Sequence, residues 1–169
     1  MTGDSPNPLL TESEVLIMTL NIELVEQETQ TVMFIRTRTS FADMPKLIGE
    51  SYCKIAAYLG ELGEQPAGMP YAAYYNLDMQ DMDLEMGFPV ARQLPGEGEI
   101  KPGEIPAGKY VTCLYKGPYS RMEQAYNEIF KWLQENNREL TGVYYEYYYN
   151  SPDEVPESDL LTKIAIPVK

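Results

Sequence analysis

Residues 71–76 read Tyr-Ala-Ala-Tyr-Tyr-Asn, and residues 145–150 read Tyr-Glu-Tyr-Tyr-Tyr-Asn. The offset of 74 positions extends upstream: residues 45–76 laid on 119–150 without a gap give nine identities in 32. Tyr52 meets Tyr126, Ile55 meets Ile129, Leu59 meets Leu133, Glu61 meets Glu135 and Gly68 meets Gly142. Each half then closes on Pro-Val, at Pro89-Val90 and Pro167-Val168. An internal repeat of this kind is one supersecondary unit that cannot cover its own apolar face, so two copies share a core.

Periodicity supplies the elements of each copy. Thr19 to Gln27 alternates as a strand, and Thr31 to Thr39 is a second, β-branched one. Asp43 is placed to cap a helix with Pro45 in its tolerated first turn, and Met44, Leu47, Ile48, Ser51, Tyr52, Ile55, Ala56 and Leu59 share one face. Gly60 and Gly63 end it, and strands follow at Tyr71–Asn76 and Met82–Val90. Leu94 to Pro106, rich in Pro, Gly and Glu, reads as a linker. The second copy has a strand at Lys109–Lys116, a Gly117-Pro118 turn, and a capping box in Ser120 and Glu123. A helix then buries Met122, Ala125, Tyr126, Ile129 and Leu133, and strands occupy Val143–Asn150 and Leu160–Val168. The expected fold is α+β: a duplicated β-α-β-β, pseudo-twofold antiparallel sheet with two helices on one face and a ligand cleft on the other. The expected boundaries are a disordered tail over 1–15 and one domain over 16–169, its halves spanning about 30–92 and 107–169.

Composition excludes several functions. The 169 residues hold 13 Lys+Arg against 26 Asp+Glu, a formal charge of −13, which gains nothing from phosphate neutralisation. Histidine is absent, which removes His-based triads, His-ligated zinc, His-ligated haem and His pH switching. Cys53 and Cys113 are too few for a thiolate zinc site and read as small core residues. No run approaches the ~18 apolar residues of a membrane span, and residues 1–7 carry no secretory signal, so a cytoplasmic protein is expected. No cofactor is implied. Fourteen Tyr stand beside four Phe and one Trp, more hydroxyls than a dry core accepts and suited to a wet aromatic surface or pocket.

The repeat breaks where Ala72 becomes Glu146. On a strand, Tyr144, Glu146 and Tyr148 share one face, and Val143, Tyr145, Tyr147 and Tyr149 the other. One face receives the helices and the other lines a cavity around the pseudo-axis. A carboxylate there requires a positive partner or hydrogen bonds. It is either a binding group or a glutamate on a solvated face held by a neighbouring tyrosine. Three other signals are weaker. Asp78, Asp81, Asp83 and Glu85 lack calcium-loop spacing and read as a solvated strand edge. Gly96-Glu97-Gly98 lacks the rest of a phosphate loop. Met79, Met82 and Met86 are core filler or flank the cleft.

The order Gly117-Pro118-Tyr119, Trp132-Leu133, Tyr145-Glu146-Tyr147-Tyr148, Asn150-Ser151-Pro152 and Ile164-Ala165-Ile166-Pro167-Val168, together with the repeat, resembles the gyrase-inhibitor-like small-molecule-binding family. That domain also forms the effector-binding half of multidrug-responsive regulators, and the resemblance covers about residues 16–169. It implies a concave sheet with two helices on its back and an aromatic cleft for bulky lipophilic cations. By motif position Glu146 supplies the counter-charge with Tyr148 beside it. Tyr71 and Tyr74, repeat mates of Tyr145 and Tyr148, are candidates for the opposite wall, and Tyr110 and Tyr115 are weaker ones. No helix-turn-helix segment precedes the first strand and the charge is −13, so direct DNA binding is not expected and the domain is expected to stand alone; with no apolar run of spanning length, no membrane association is expected either.

Three functions follow as expectations. The first is a non-catalytic binder of hydrophobic or cationic small molecules. The second, since some family members are hydrolases, is a hydrolase of reactive small electrophiles that uses Glu146 as general base on a water, its pKa raised by burial, while a tyrosine donates to the substrate. The third is an acidic protein–protein inhibitor module whose partner the sequence does not name.

Overall fold

The computed structural model describes residues 20–169. The expected tail over 1–15 and the beginning of the expected domain and first strand lie outside the described residues. Eight strands and two helices follow in the order β1 (Ile22–Gln27), β2 (Gln30–Thr39), α1 (Met44–Glu61), β3 (Tyr71–Tyr74), β4 (Met82–Pro89), β5 (Lys101–Ile105), β6 (Gly108–Lys116), α2 (Met122–Glu135), β7 (Tyr144–Tyr148) and β8 (Leu161–Pro167).

All strands join one antiparallel sheet in the order β1-β6-β8-β7-β3-β4-β2-β5. Its centre is symmetric: β6-β8-β7 mirrors β2-β4-β3, and the two copies meet where β7 pairs with β3. Only Glu28 and Thr29 link β1 to β2, although five strands lie between them in the sheet order. Flat, that separation is about 29 Å at ~4.8 Å per strand. The link spans at most about 11 Å, three steps of ~3.8 Å. The sheet must therefore curl until the start of β2 comes near the end of β1.

Both helices pack on the outer face of this roll. Ile55, Tyr58 and Leu59 of α1 and Met122, Ala125, Ile129 and Leu133 of α2 share one core with Met33, Leu84, Met86, Val111, Ile164 and Ile166. The inner face holds a second cluster containing Val32, Tyr71, Ile105, Tyr110, Tyr145 and Tyr147. The repeated Asn76 and Asn150 do the same work in each copy. Asn76 donates through Nδ2 to Asp81 O and accepts from Asp83 N–H, while Asn150 donates to Asp159 O and accepts from Leu161 N–H. Each asparagine thereby pins the entry of the next strand.

Four expectations need correction. Asp43 stands at the N-cap position of α1 but makes no side-chain capping hydrogen bond. The stretch expected to be a linker contains β5, an edge strand whose Lys101–Ile105 pairs with Phe34–Gln30. Its Pro102 is tolerated because an edge strand has a face without a ladder partner. Gly103 suits this strand because a Cβ there would lie 2.6 Å from the Phe34 ring, which would have to shift. The features that read as a linker are those of a strand edge. The expected Ser120 capping box does not form: Tyr119–Arg121 is a 3-10 turn closed by Arg121 N–H on Pro118 O, and α2 starts at Met122 without a side-chain cap. Cys113 is buried, its thiol pushed up to about 11 by burial, but Cys53 is exposed on α1.

Candidate functional site

In the central ladder Tyr71 pairs with Tyr147, Ala72 with Glu146 and Ala73 with Tyr145. Ala72 and Glu146 are also repeat mates, so the pseudo-twofold axis passes through this pair. Glu146 is thus placed by symmetry at the middle of the molecule, and the alanine opposite leaves space above the ladder for its carboxylate.

Glu146 lies on the outer face, on the same side as the helices, and only 7% of it is exposed. Tyr126 of α2 donates to its Oε2 at 2.5 Å, and Tyr148 donates to Oε1 at 2.8 Å. The hydroxyls of Tyr74 and Tyr148 lie 3.0 Å apart. A hydroxyl carries one proton, and that of Tyr148 is given to the carboxylate, so Tyr74 is the donor in this contact. Tyr74 to Tyr148 to Glu146 is a polarised chain crossing the axis. Tyr52 of α1, repeat mate of Tyr126, faces alanine instead and donates to Tyr71 O at 2.6 Å. Tyr119, 42% exposed, sets its ring edge-on against Tyr148 at 6.0 Å and 72°.

Burial pushes the Glu146 carboxyl above its ordinary value, and the hydroxyls of Tyr126 and Tyr148, with Tyr74 behind Tyr148, pull against it. Among the described residues, the groups acting on it are tyrosine hydroxyls. The tyrosines respond in kind: burial and the Glu146 charge raise Tyr52, Tyr74, Tyr126 and Tyr148 well above the phenolic range, so they remain proton donors.

The six tyrosine and glutamate candidates divide between the two faces. Glu146, Tyr148 and Tyr74 come together on the helix side. Tyr71, Tyr145 and Tyr110 lie inside the roll, where Tyr110 donates to Pro106 O at 2.6 Å. Tyr115 is back on the helix side, its hydroxyl on Pro118 O at 2.6 Å. The glutamate expected to line a cleft away from the helices instead points between them. Sequence reasoning passed over Tyr52, Tyr119 and Tyr126 as site residues, although the Tyr52–Tyr126 identity in the repeat signalled two of them.

The roll interior holds a second buried carboxylate. Glu85 is 6% exposed and accepts from Tyr71 at 2.5 Å and Tyr75 at 2.8 Å. It was expected on a solvated strand edge, but β4 is an inner strand between β3 and β2. Of its acidic neighbours, Asp83 pairs with Arg36 at 2.9 Å and Asp81 with Arg38 at 2.9 Å. Among the described residues no group of three or more His, Cys, Asp or Glu could hold a metal ion, and no helix is long and apolar enough to cross a membrane.

A curled antiparallel sheet, backed by two helices and built on a duplicated unit, defines an effector-binding type of domain. Residues 20–169 match the family described as the GyrI-like small molecule binding domain, and the chain belongs to that family. Among solved structures it resembles the regulator EcmrR in its DNA complex, with a TM-score of 0.79 and 25% identity. The match covers 90% of this chain and 58% of that one, so the chain spans little more than half of EcmrR. The EcmrR C-terminal domain alone gives a TM-score of 0.74 at 24% identity, over 90% of this chain and 99% of that domain. A hydrolase from Listeria innocua gives 0.65 at 12% identity over 88% and 91% of the two chains. SAV2435 bound to tetraphenylphosphonium gives 0.63 at 11% over 88% and 94%. No curated protein matches the chain in sequence.

Proposed function

We propose that this domain is a receptor for bulky lipophilic monocations, seated among the tyrosines between α1 and α2 with Glu146 as counter-charge. One observation carries the reading. Glu146 is a buried carboxylate at the symmetry centre, and among the described residues its ionisation is governed by burial and by tyrosine hydroxyls. A buried charge without a cation is costly, and a cationic guest supplies the missing partner. Tyrosine faces add about 0.5–2 kcal/mol each toward a delocalised cation and tolerate varied shapes. The tetraphenylphosphonium bound by SAV2435, a protein of like fold, is a ligand of this class. With a charge of −13, the domain acts as the sensing part of any regulator rather than the part that touches DNA.

The test is a calorimetric titration with tetraphenylphosphonium and the neutral triphenylphosphine oxide, on wild type and Glu146→Gln. The cation should bind wild type and lose about ten-fold or more in the variant, while the neutral compound discriminates little. Equal cation binding by both proteins, or none by wild type, overturns the reading.

A second reading rests on the raised carboxyl of Glu146. A glutamate whose pKa moves toward the working pH is better suited to general-base chemistry, and a hydrolase shares the fold. Mass spectrometry of the recovered ligand separates the two. Unchanged ligand supports a receptor, and a hydrated product lost in Glu146→Gln supports a hydrolase.

A further inference from the structure

The duplication breaks a second time, on the face that the helices do not cover. In the central ladders Ala72 pairs with Met86, and Glu146 with Ile164, so Met86 and Ile164 are structural mates. The residues just before them are Glu85 and Lys163. One copy therefore places a carboxylate inside the roll, and the other places an ammonium at the equivalent position. The carboxylate is consumed internally by Tyr71 and Tyr75. The ammonium is not: among the described residues the contact of half-buried Lys163 is with the face of the Tyr147 ring, 5.4 Å from its centroid.

Lys163 borders an open groove of about 500 Å³ at the mouth of the roll, beside the short link between β1 and β2. Gln30, Met69, Pro89, Tyr147 and Tyr149 line it as well. That volume lies within the roughly 300–1,000 Å³ usual for small-molecule sites. Tyr147 donates to Gln30 Oε1 at 3.3 Å, which leaves the amide N–H groups of Gln30 as donors. Aromatic walls, a cation and an amide donor converge on one space, across the sheet from Glu146.

We propose that this mouth is a second ligand site, specific for small aromatic monocarboxylates. Lys163 takes the carboxylate, Gln30 donates to it, and Tyr147, Tyr149, Met69 and Pro89 flank the ring. Glu28 on the same rim and the net charge of −13 select against dianions and phosphates. The site is independent of the cation site and stands whether or not Glu146 binds cations.

The test is calorimetric titration of the full chain with 2-naphthoate and its neutral amide, on wild type, Lys163→Gln, Lys163→Arg and Glu146→Gln. Naphthoate should bind wild type about ten-fold or more tightly than the amide does, as expected when one partner in a hydrogen bond is charged. That preference should disappear in Lys163→Gln, survive in Lys163→Arg and be unchanged in Glu146→Gln. Absence of saturable naphthoate binding to wild type overturns the proposal. So does equal binding of acid and amide, retention in Lys163→Gln, or loss in Glu146→Gln, which would put the guest on the other face.

Discussion

Tyr52 and Tyr126 occupy equivalent positions in the two copies, yet one hydroxyl meets a main-chain carbonyl and the other a carboxylate. Each copy sets a tyrosine from its helix over the central ladder, and the residue at the axis beneath differs, alanine in one copy and glutamate in the other. A symmetric scaffold has thus acquired a single buried charge at its axis through one side chain.

This pair gives a paired prediction. Tyr52→Phe removes a neutral hydrogen bond and should cost about 1 kcal/mol at any pH. Tyr126→Phe strips a donor from an ionised group and should cost about 1.5–3 kcal/mol at pH 8, with less lost at pH 4. Urea unfolding at the two pH values checks both. A pH-independent cost for Tyr126→Phe would mean that Glu146 is protonated throughout.

The pH dependence of Glu146 itself has a definite sign. Burial raises its folded value above the ordinary 4.5, so the native state keeps a proton that the unfolded chain releases. Its contribution to stability is full below 4.5 and is lost as pH rises through the folded value. Glu146→Gln cannot ionise, so its stability relative to wild type should increase between pH 4.5 and 8. Parallel thermal-unfolding midpoints across that range would contradict the raised value.

Much of this architecture was legible in the sequence because the duplication displayed it. Tyr71–Asn76 and Tyr145–Asn150 marked the central strands, and the apolar stripes around Ile55 and Ile129 marked both helices. The Pro and Gly of β5 hid an edge strand, since residues that block a ladder also suit a linker. The faces were harder. Alternation along 143–149 separates Glu146 from Tyr145 and Tyr147, but only the packing of Ile55, Leu59 and Ile129 decides which side carries the helices. Glu85 was hidden among Asp78, Asp81 and Asp83, whose exposed charges gave the whole run the look of a solvated edge.

Ala72 should tolerate little. It is fully buried opposite Glu146, and a larger side chain must displace the Tyr74–Tyr148–Glu146 chain. Ala72→Leu should destabilise by about 1–3 kcal/mol through overpacking. It should also abolish tetraphenylphosphonium binding, which a titration of the folded fraction would reveal. Wild-type affinity in this variant would place the cation elsewhere.

Glu85 gives the converse case. Its carboxylate accepts from Tyr71 and Tyr75, and the Tyr71 side chain is wholly buried. Glu85→Ala leaves that hydroxyl without its acceptor, at a cost of about 1–3 kcal/mol. Glu85→Gln retains an acceptor oxygen and should lose less. Neither change touches the helix side of the sheet, where Glu146 sits, so cation affinity should stay within about two-fold of wild type, as expected for sites that share no partners. The decisive measurement is therefore stability and affinity on the same variants. Loss of stability with preserved cation binding assigns Glu85 to the roll interior as a structural group. A parallel loss of both would mean that the two faces of the sheet communicate through β3, whose Ala72 and Ala73 stand opposite the two glutamates.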